Sequence, residues 1–376
     1  MKKEARSIIY DVLSLINRVV PKTNRIMVYG GDYLYDNNEA MLEYLNSYIR
    51  IPIICIADTY RNIKVNKNVK FVKNSIINAI YYSLTSKVII DSFFHAIRII
   101  PQQKQISIQL WHGTPLKRID LHKGECNSKY YTHIIYPSEM FREIYKQTFE
   151  CDVDKLFLCG NPRNDLLFEP QIGPLRIDGI KKYVIWMPTY RHGLGNEDSH
   201  IDIPVLTKDN VSLLDRTLQD EEIFLFIKPH PRQMSSFDDM LVGLKNIRLL
   251  TDQMLRDANV PLYSFIGNMD ALLTDYSSVY FDYLLLDRPI GFVIDDFKEY
   301  SDKRGLYFED PLAMMPGEKI INMDQLCDFF ENLDNNKRFK EERKRVNDLV
   351  NHYQDDNNRE RILRIVQKCI GNNINE

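Results

Sequence analysis

Short apolar runs alternate with segments of helical periodicity along almost the whole chain. In the first half, the runs at 25–29, 52–57, 87–91, 105–111, 132–136 and 155–159 read as strands. Between them, 38–47 and 138–148 carry apolar positions at helical spacing. The stretch 162–178 then holds Pro162, Pro170, Gly173 and Pro174 with little periodicity, which predicts a linker. The alternation restarts with strands expected at 183–187, 223–228, 246–250, 271–275 and 289–294. Helices are expected at 210–219, 278–286 and 323–333. A charged helical tail over 337–370 gathers Val346, Leu349, Val350, Ile362, Ile365 and Val366 on its apolar face.

Strand and helix in alternation mark βαβ units on a parallel sheet. At 376 residues the chain exceeds what one hydrophobic core usually supports, so two domains are expected. The predicted fold is α/β and GT-B-like, with two doubly wound, Rossmann-like domains facing across a cleft. The expected division is 1–172, 173–345 and a C-terminal helical piece, 346–376, that crosses back to the first domain.

Residues 1–22 read as an amphipathic helix, with Ile8, Ile9, Val12, Leu15, Ile16 and Val19 on one side. Lys2, Lys3, Arg6, Arg18, Lys22 and Arg25 supply positive charge around it. Glu4, Asp11 and Arg18 interrupt any signal-peptide core, and no run reaches the ~18 residues of a membrane span. Two uses fit such a helix: packing within the first domain, or a peripheral contact with an anionic membrane surface. A net charge of −3 speaks against general nucleic-acid binding. The six cysteines are scattered without CxxC spacing, which indicates a reduced, cytosolic setting.

Candidate chemistry gathers where strands end, which is where open α/β sheets bind ligands. Leu110-Trp111-His112-Gly113-Thr114-Pro115-Leu116-Lys117 places a histidine at a strand exit beside a hydroxyl and an ammonium. Ile227-Lys228-Pro229-His230-Pro231 repeats the design, with two prolines stiffening the turn. Met187-Pro188-Thr189-Tyr190-Arg191 adds an arginine suited to bidentate phosphate contact. In Thr274-Asp275-Tyr276-Ser277-Ser278, a serine falls where a helix N-cap belongs, a natural phosphate site. Arg304-Gly305 offers a further phosphate ligand, and Gly30-Gly31 permits close backbone approach.

Taken alone, a structural histidine, a plain helix cap and a surface arginine would account for these segments; their recurrence in one design favours a site. The acidic pairs Asp238-Asp239 and Asp295-Asp296 lack histidines at ligand spacing, so no metal site is expected. The chain has no GxSxG elbow, no GxGxxG and no Walker loop.

Together these segments resemble the CDP-glycerol glycerophosphotransferase family of teichoic-acid and capsule enzymes. The resemblance runs from about 105 to 320 and rests on the motifs above, on Gly160-Asn161-Pro162-Arg163-Asn164-Asp165, on the extension Val279-Tyr280-Phe281-Asp282, and on Arg304-Gly305 followed by Pro316-Gly317. One departure is Asn161, where the family often has an aromatic residue.

The resemblance implies transfer of glycerol phosphate from CDP-glycerol, or of a related polyol phosphate such as that of CDP-ribitol, to a hydroxyl acceptor with release of CMP. His112 and His230 would be the essential histidines, on opposite walls of the cleft. Thr189, Arg191, Lys228, Asp275, Ser277, Ser278, Asp282 and Arg304 would hold the donor. Gly113, Thr114, Lys117, Arg163 and Asp165 would serve the acceptor side or support the structure. With that many donors around the phosphates, a divalent metal need not be obligatory.

The implied acceptor is a lipid-linked saccharide or other cell-envelope glycan, which places the enzyme in the cytoplasm, peripheral at the inner face of the membrane. The chain length favours single or limited addition. The alternatives are a GT-B glycosyltransferase using a nucleotide sugar and a non-catalytic envelope-assembly binding protein.

Overall fold

Two parallel sheets, which share their strand order over six strands, organise the chain. The computed structural model describes residues 2–93, 98–116, 127–189, 205–229, 240–298, 300, 307–334 and 337–371, with side chains from Ile8 onward. The first sheet comprises β1 (Thr23–Tyr33), β2 (Ile53–Thr59), β3 (Val69–Val72), β4 (Ser86–Asp91), β5 (Ile106–Gln109), β6 (His133–Tyr136) and β7 (Leu156–Leu158). Their spatial order is β3-β2-β1-β4-β5-β6-β7, parallel throughout. The second comprises β8 (Lys182–Met187), β9 (Ile223–Ile227), β10 (Ile247–Leu249), β11 (Ala271–Thr274), β12 (Ile290–Val293) and β13 (Glu318–Ile320). Its order, β10-β9-β8-β11-β12-β13, repeats that of the first six strands of the first sheet, without a counterpart of β7. Winding outwards in both directions from the first strand makes each sheet doubly wound and puts a topological switch point beside that strand.

The chain divides into two compact units, one of residues 1–113, 119–168 and 352–376, the other of 114–118 and 169–351. The first core stacks Ile26, Val28, Val88 and Ile108 from the sheet against Met41 and Leu45 of the helix Asp36–Tyr48. Ile362, Leu363 and Val366 of the C-terminal helix Asn358–Ile370 complete it. The second core packs Val184, Leu225 and Leu273 against Leu214 and Leu218 of the helix Val211–Asp220, and against Phe329 and Phe330 of the helix Met323–Glu331.

Several expectations change. The segment expected as a linker begins with a 3-10 helix, Pro162–Phe168, whose Arg163, Asn164 and Asp165 are buried in the first unit; the long stretch of the second unit starts at Glu169. The charged tail is two helices, and the earlier one, Lys340–Val350, belongs to the second unit. Strands β3 and β13, both short edge strands, are absent from the sequence pattern. The run at 105–111 leaves the sheet early, since Trp111 turns to a φ of 58°.

The N-terminal helix Lys2–Asn17 is oriented opposite to a packing helix. Ser14 and Asn17 face inward: Ser14 Oγ accepts from the Ile100 N–H at 3.0 Å, and Asn17 Nδ2 donates to Ile100 O at 2.9 Å and Gln105 Oε1 at 3.0 Å. Ile8, Ile9, Val12, Leu15, Ile16 and Val19 all face solvent, with Val19 81% exposed. Two of the cations assigned to its surroundings are used internally. Lys22 Nζ bridges Asn17 Oδ1 and Leu84 O, and Arg25 bonds Thr85 and Ser86 under the Tyr82 ring.

Candidate active site

In the first unit, the exit of β5 is fixed on every side. Leu110 N–H donates to Asp91 O at 2.7 Å, tying the exit to β4. Trp111 N–H donates to Gln109 Oε1 at 2.8 Å, and Trp111 O accepts from Asn37 Nδ2 at 2.8 Å. The Trp111 ring is buried, edge-on to Phe149 at 5.1 Å, and stacks on the His112 imidazole at 4.1 Å. His112 itself is exposed. Its carbonyl accepts from Arg163 Nη1 at 2.9 Å, and the same Nη1 lies 3.2 Å from Asp36 Oδ2. Gly113 has a φ of 142°, and Tyr145 Oη donates to its carbonyl. Thr114, the next residue, is buried.

Asp165 does not face a ligand. It is fully buried and accepts from the backbone N–H groups of Asn358 and Arg359 at 3.0 and 2.8 Å, and from Arg359 Nε at 3.1 Å. This carboxylate caps the C-terminal helix, where orphan N–H groups and the helix dipole favour an anion. Gly160 explains itself in the same place. A Cβ there would meet Asn358 Oδ1 at 2.1 Å, and its φ is +81°. Asn161 is buried against the same helix and accepts from Asn358 Nδ2, so the departure at this position is an interior one.

In the second unit, Asp275 closes the switch point between β8 and β11. Both carboxylate oxygens accept from the Thr189 N–H at 2.9 Å, and Thr274 Oγ1 donates to Met187 O at 2.8 Å. Asp275 is 3% exposed, so it works as a strut for the Pro188-Thr189 turn; a carboxylate facing a diphosphate would repel it. Ser277 and Ser278 are half-buried in the turn after β11. The helix they precede, Val279–Tyr283, is short, and Ser278 makes no side-chain cap bond. Asp282 sits inside that unit, fully buried, with Tyr263 Oη donating to it at 2.7 Å. Lys228 Nζ reaches Asp252 Oδ1 at 2.7 Å from the exit of β9. Lys117, Arg191, His230 and Arg304 lie outside the described residues.

Burial raises the pKa of two further carboxyls of the first unit. Asp91, at the end of β4, is pushed up to about 7 by burial, which the Phe93 and Ser92 N–H groups only partly offset. Glu39 is likewise raised to about 7 by burial, against the pull of Arg61, whose Nε lies 2.9 Å away.

The sequence pattern did not single out Asn37, Asp36 or Gln109. The available signal was the polar run Asp36-Asn37-Asn38 opening a helix, which reads as ordinary helix-start chemistry.

The model of the CDP-glycerol:poly(glycerophosphate) glycerophosphotransferase family matches residues 11–368. The chain belongs to that family. A teichoic acid poly(ribitol-phosphate) polymerase of Bacillus spizizenii is 28% identical over 316 residues, 77% of this chain and 47% of that protein. The chain thus spans about half of that relative's length. A teichoic acid glycerol-phosphate primase of Bacillus subtilis is 27% identical over 314 residues, 78% of this chain and 77% of its own. Among solved structures, the wall teichoic acid polymerase TagF superposes with a TM-score of 0.79 at 22% identity, covering 96% of this chain and 93% of that one. The family assignment and the shared strand order make this a GT-B-like α/β fold.

Proposed function

We propose that this protein transfers glycerol phosphate, or a related polyol phosphate, from a CDP-activated donor to a hydroxyl of a cell-envelope saccharide, with release of CMP. The observation that carries this reading is the family match over residues 11–368, which contains every strand-exit motif. The relatives named above act on glycerol phosphate or ribitol phosphate, so the donor is a CDP-polyol.

The reaction asks for positioning and charge stabilisation more than for covalent help. The acceptor oxygen attacks the β-phosphorus of the donor and CMP departs. His112 takes the acceptor proton as general base, a role worth ~10²–10⁴-fold. It is exposed while its backbone is held, as a proton-transfer group must be. Arg191, Lys228 and His230 neutralise the diphosphate, and Thr189, Ser277, Ser278 and Arg304 complete the donor contacts. Arg163 keeps the His112 turn in place. These charges allow turnover without an obligatory divalent ion.

The acceptor is lipid-linked, so the enzyme works from the cytoplasm at the inner face of the membrane. The outward apolar stripe of the N-terminal helix supports that placement.

A donor screen tests the whole reading. Purified protein is given CDP-glycerol, CDP-ribitol and nucleotide sugars with a saccharide acceptor, with and without EDTA. Release of CMP from a CDP-polyol is the expected result. Release of a nucleoside diphosphate from a sugar donor would instead establish a glycosyltransferase, and binding of CDP-glycerol without turnover on any acceptor would establish a binding protein.

A further inference from the structure

The strand exit that carries His112 is held by a residue outside every motif. Asn37, at the start of the helix Asp36–Tyr48, is fully buried, and both ends of its amide are engaged. Nδ2 donates to Trp111 O at 2.8 Å, and Oδ1 accepts from the Arg163 N–H at 3.1 Å. The second bond fixes the backbone of the residue whose guanidinium reaches His112 O. One side chain thus joins three segments far apart in sequence: the helix start, the β5 exit and the 3-10 helix Pro162–Phe168.

We propose that Asn37 is a positioning residue for His112, acting through the Trp111 peptide and through Arg163. The proposal rests on the reading of His112 as general base. Its physical basis is the conformation of Trp111. A bulky residue at a φ of 58° is strained and persists only where its surroundings over-determine it. Gln109 holds the N–H of Trp111 and Asn37 its carbonyl, while Phe149 and Tyr145 confine the ring. The His112 imidazole stacks on that ring, so its direction is inherited from Trp111. Without the Asn37 amide, the Trp111 carbonyl loses the donor that lies 2.8 Å away, and the hold on its strained conformation weakens. The imidazole turns with it. Asn37 touches no reacting atom in this scheme.

The test uses the full chain and two measurements. In the CMP-release assay, Asn37→Ala is expected to lower kcat about 10- to 100-fold, the scale of a small misplacement of a catalytic group, with donor KM little changed. In a His112→Ala background the same substitution is expected to cost almost nothing, because its effect runs through His112. Wild-type kcat in Asn37→Ala, or an equal loss in both backgrounds, would overturn the proposal. Asn37→Ser carries the same test where Asn37→Ala does not yield folded protein.

The second measurement needs no turnover. The Hε1 proton of His112, identified by its absence in His112→Ala, lies in the ring current of Trp111. In Asn37→Ala its NMR shift is expected to move towards that of a free imidazole. An unmoved resonance would show that Asn37 does not set the ring's placement. A wild-type protein that releases no CMP from any CDP-polyol removes the catalytic reading, whereas the NMR result still decides whether Asn37 positions His112.

Discussion

Arg163 donates from Nη1 to the carbonyl oxygen of His112 at 2.9 Å, across 51 positions of sequence. The same nitrogen faces Asp36 Oδ2 at 3.2 Å, so one guanidinium ties the β5 exit to the start of the helix Asp36–Tyr48. Both contacts leave one nitrogen whose two N–H groups are held in the guanidinium plane, whereas a lysine ammonium on a shorter, flexible stem does not hold them in that geometry.

Arg163→Lys should therefore retain the charge and lose the geometry. Turnover is expected to fall by about 10-fold or more with donor affinity preserved, since the contact is to the backbone of His112 and not to the donor. Steady-state kinetics with a calorimetric donor titration check this. Equal losses in kcat and in donor binding would point to general loosening instead.

Asp165 predicts a stability effect rather than a kinetic one. Asp165→Ala leaves two helix N–H groups and the Arg359 guanidinium without their buried acceptor. Breaking a buried pair in this way costs roughly 3–5 kcal/mol. Denaturant unfolding should show the loss, and the C-terminal helix should become an early site of amide exchange. A variant as stable as the wild type would exclude the capping role.

Asp91 gives the fold a readable pH dependence. Its folded-state value is raised by burial from 3.8 to about 7, so between those values the folded protein keeps a proton that the unfolded chain has lost. This contribution is complete below the ordinary carboxylate range and is lost as pH rises through 7. Asp91→Asn removes it. Measured against the wild type, the melting temperature of the variant should improve from about pH 4 to pH 7 and level off above that. A constant difference across that range would show that Asp91 does not titrate there.

The N-terminal helix should carry the protein to anionic vesicles. Replacing Lys2, Lys3 and Arg6 with glutamine is expected to weaken flotation by ~1 kcal/mol per residue, with binding falling as salt rises. Ile8→Ser with Ile9→Ser should weaken it at every salt concentration, because the exposed stripe supplies the apolar part. Lys22→Gln should act on stability instead, since its ammonium is bonded to Asn17 and Leu84. Flotation unaffected by both sets of substitutions would leave the helix without a lipid role.

The sequence by itself determined the alternation of strand and helix, and with it the two parallel sheets. Burial on both faces demands continuous apolar runs such as Ile223-Phe224-Leu225-Phe226-Ile227, and these are visible without a partner. It also marked the strand exits at His112, Thr189, Lys228 and Asp275, because polar and turn-forming residues at the end of an apolar run stand out locally. Only the tertiary structure decided what those residues touch. That Asp165 caps a helix 194 positions away, that Asp282 is sealed beside Tyr263, and that Asn37 grips Trp111 depend on contacts between distant segments. The N-terminal helix shows the limit from the other side. Its periodicity fixed the apolar stripe, but not which side met the protein; bonds from Ser14 and Asn17 to Ile100 and Gln105 turned the side of Tyr10, Ser14 and Asn17 inward. Periodicity records which residues share a face, whereas the direction of that face is set by partners that no local pattern contains.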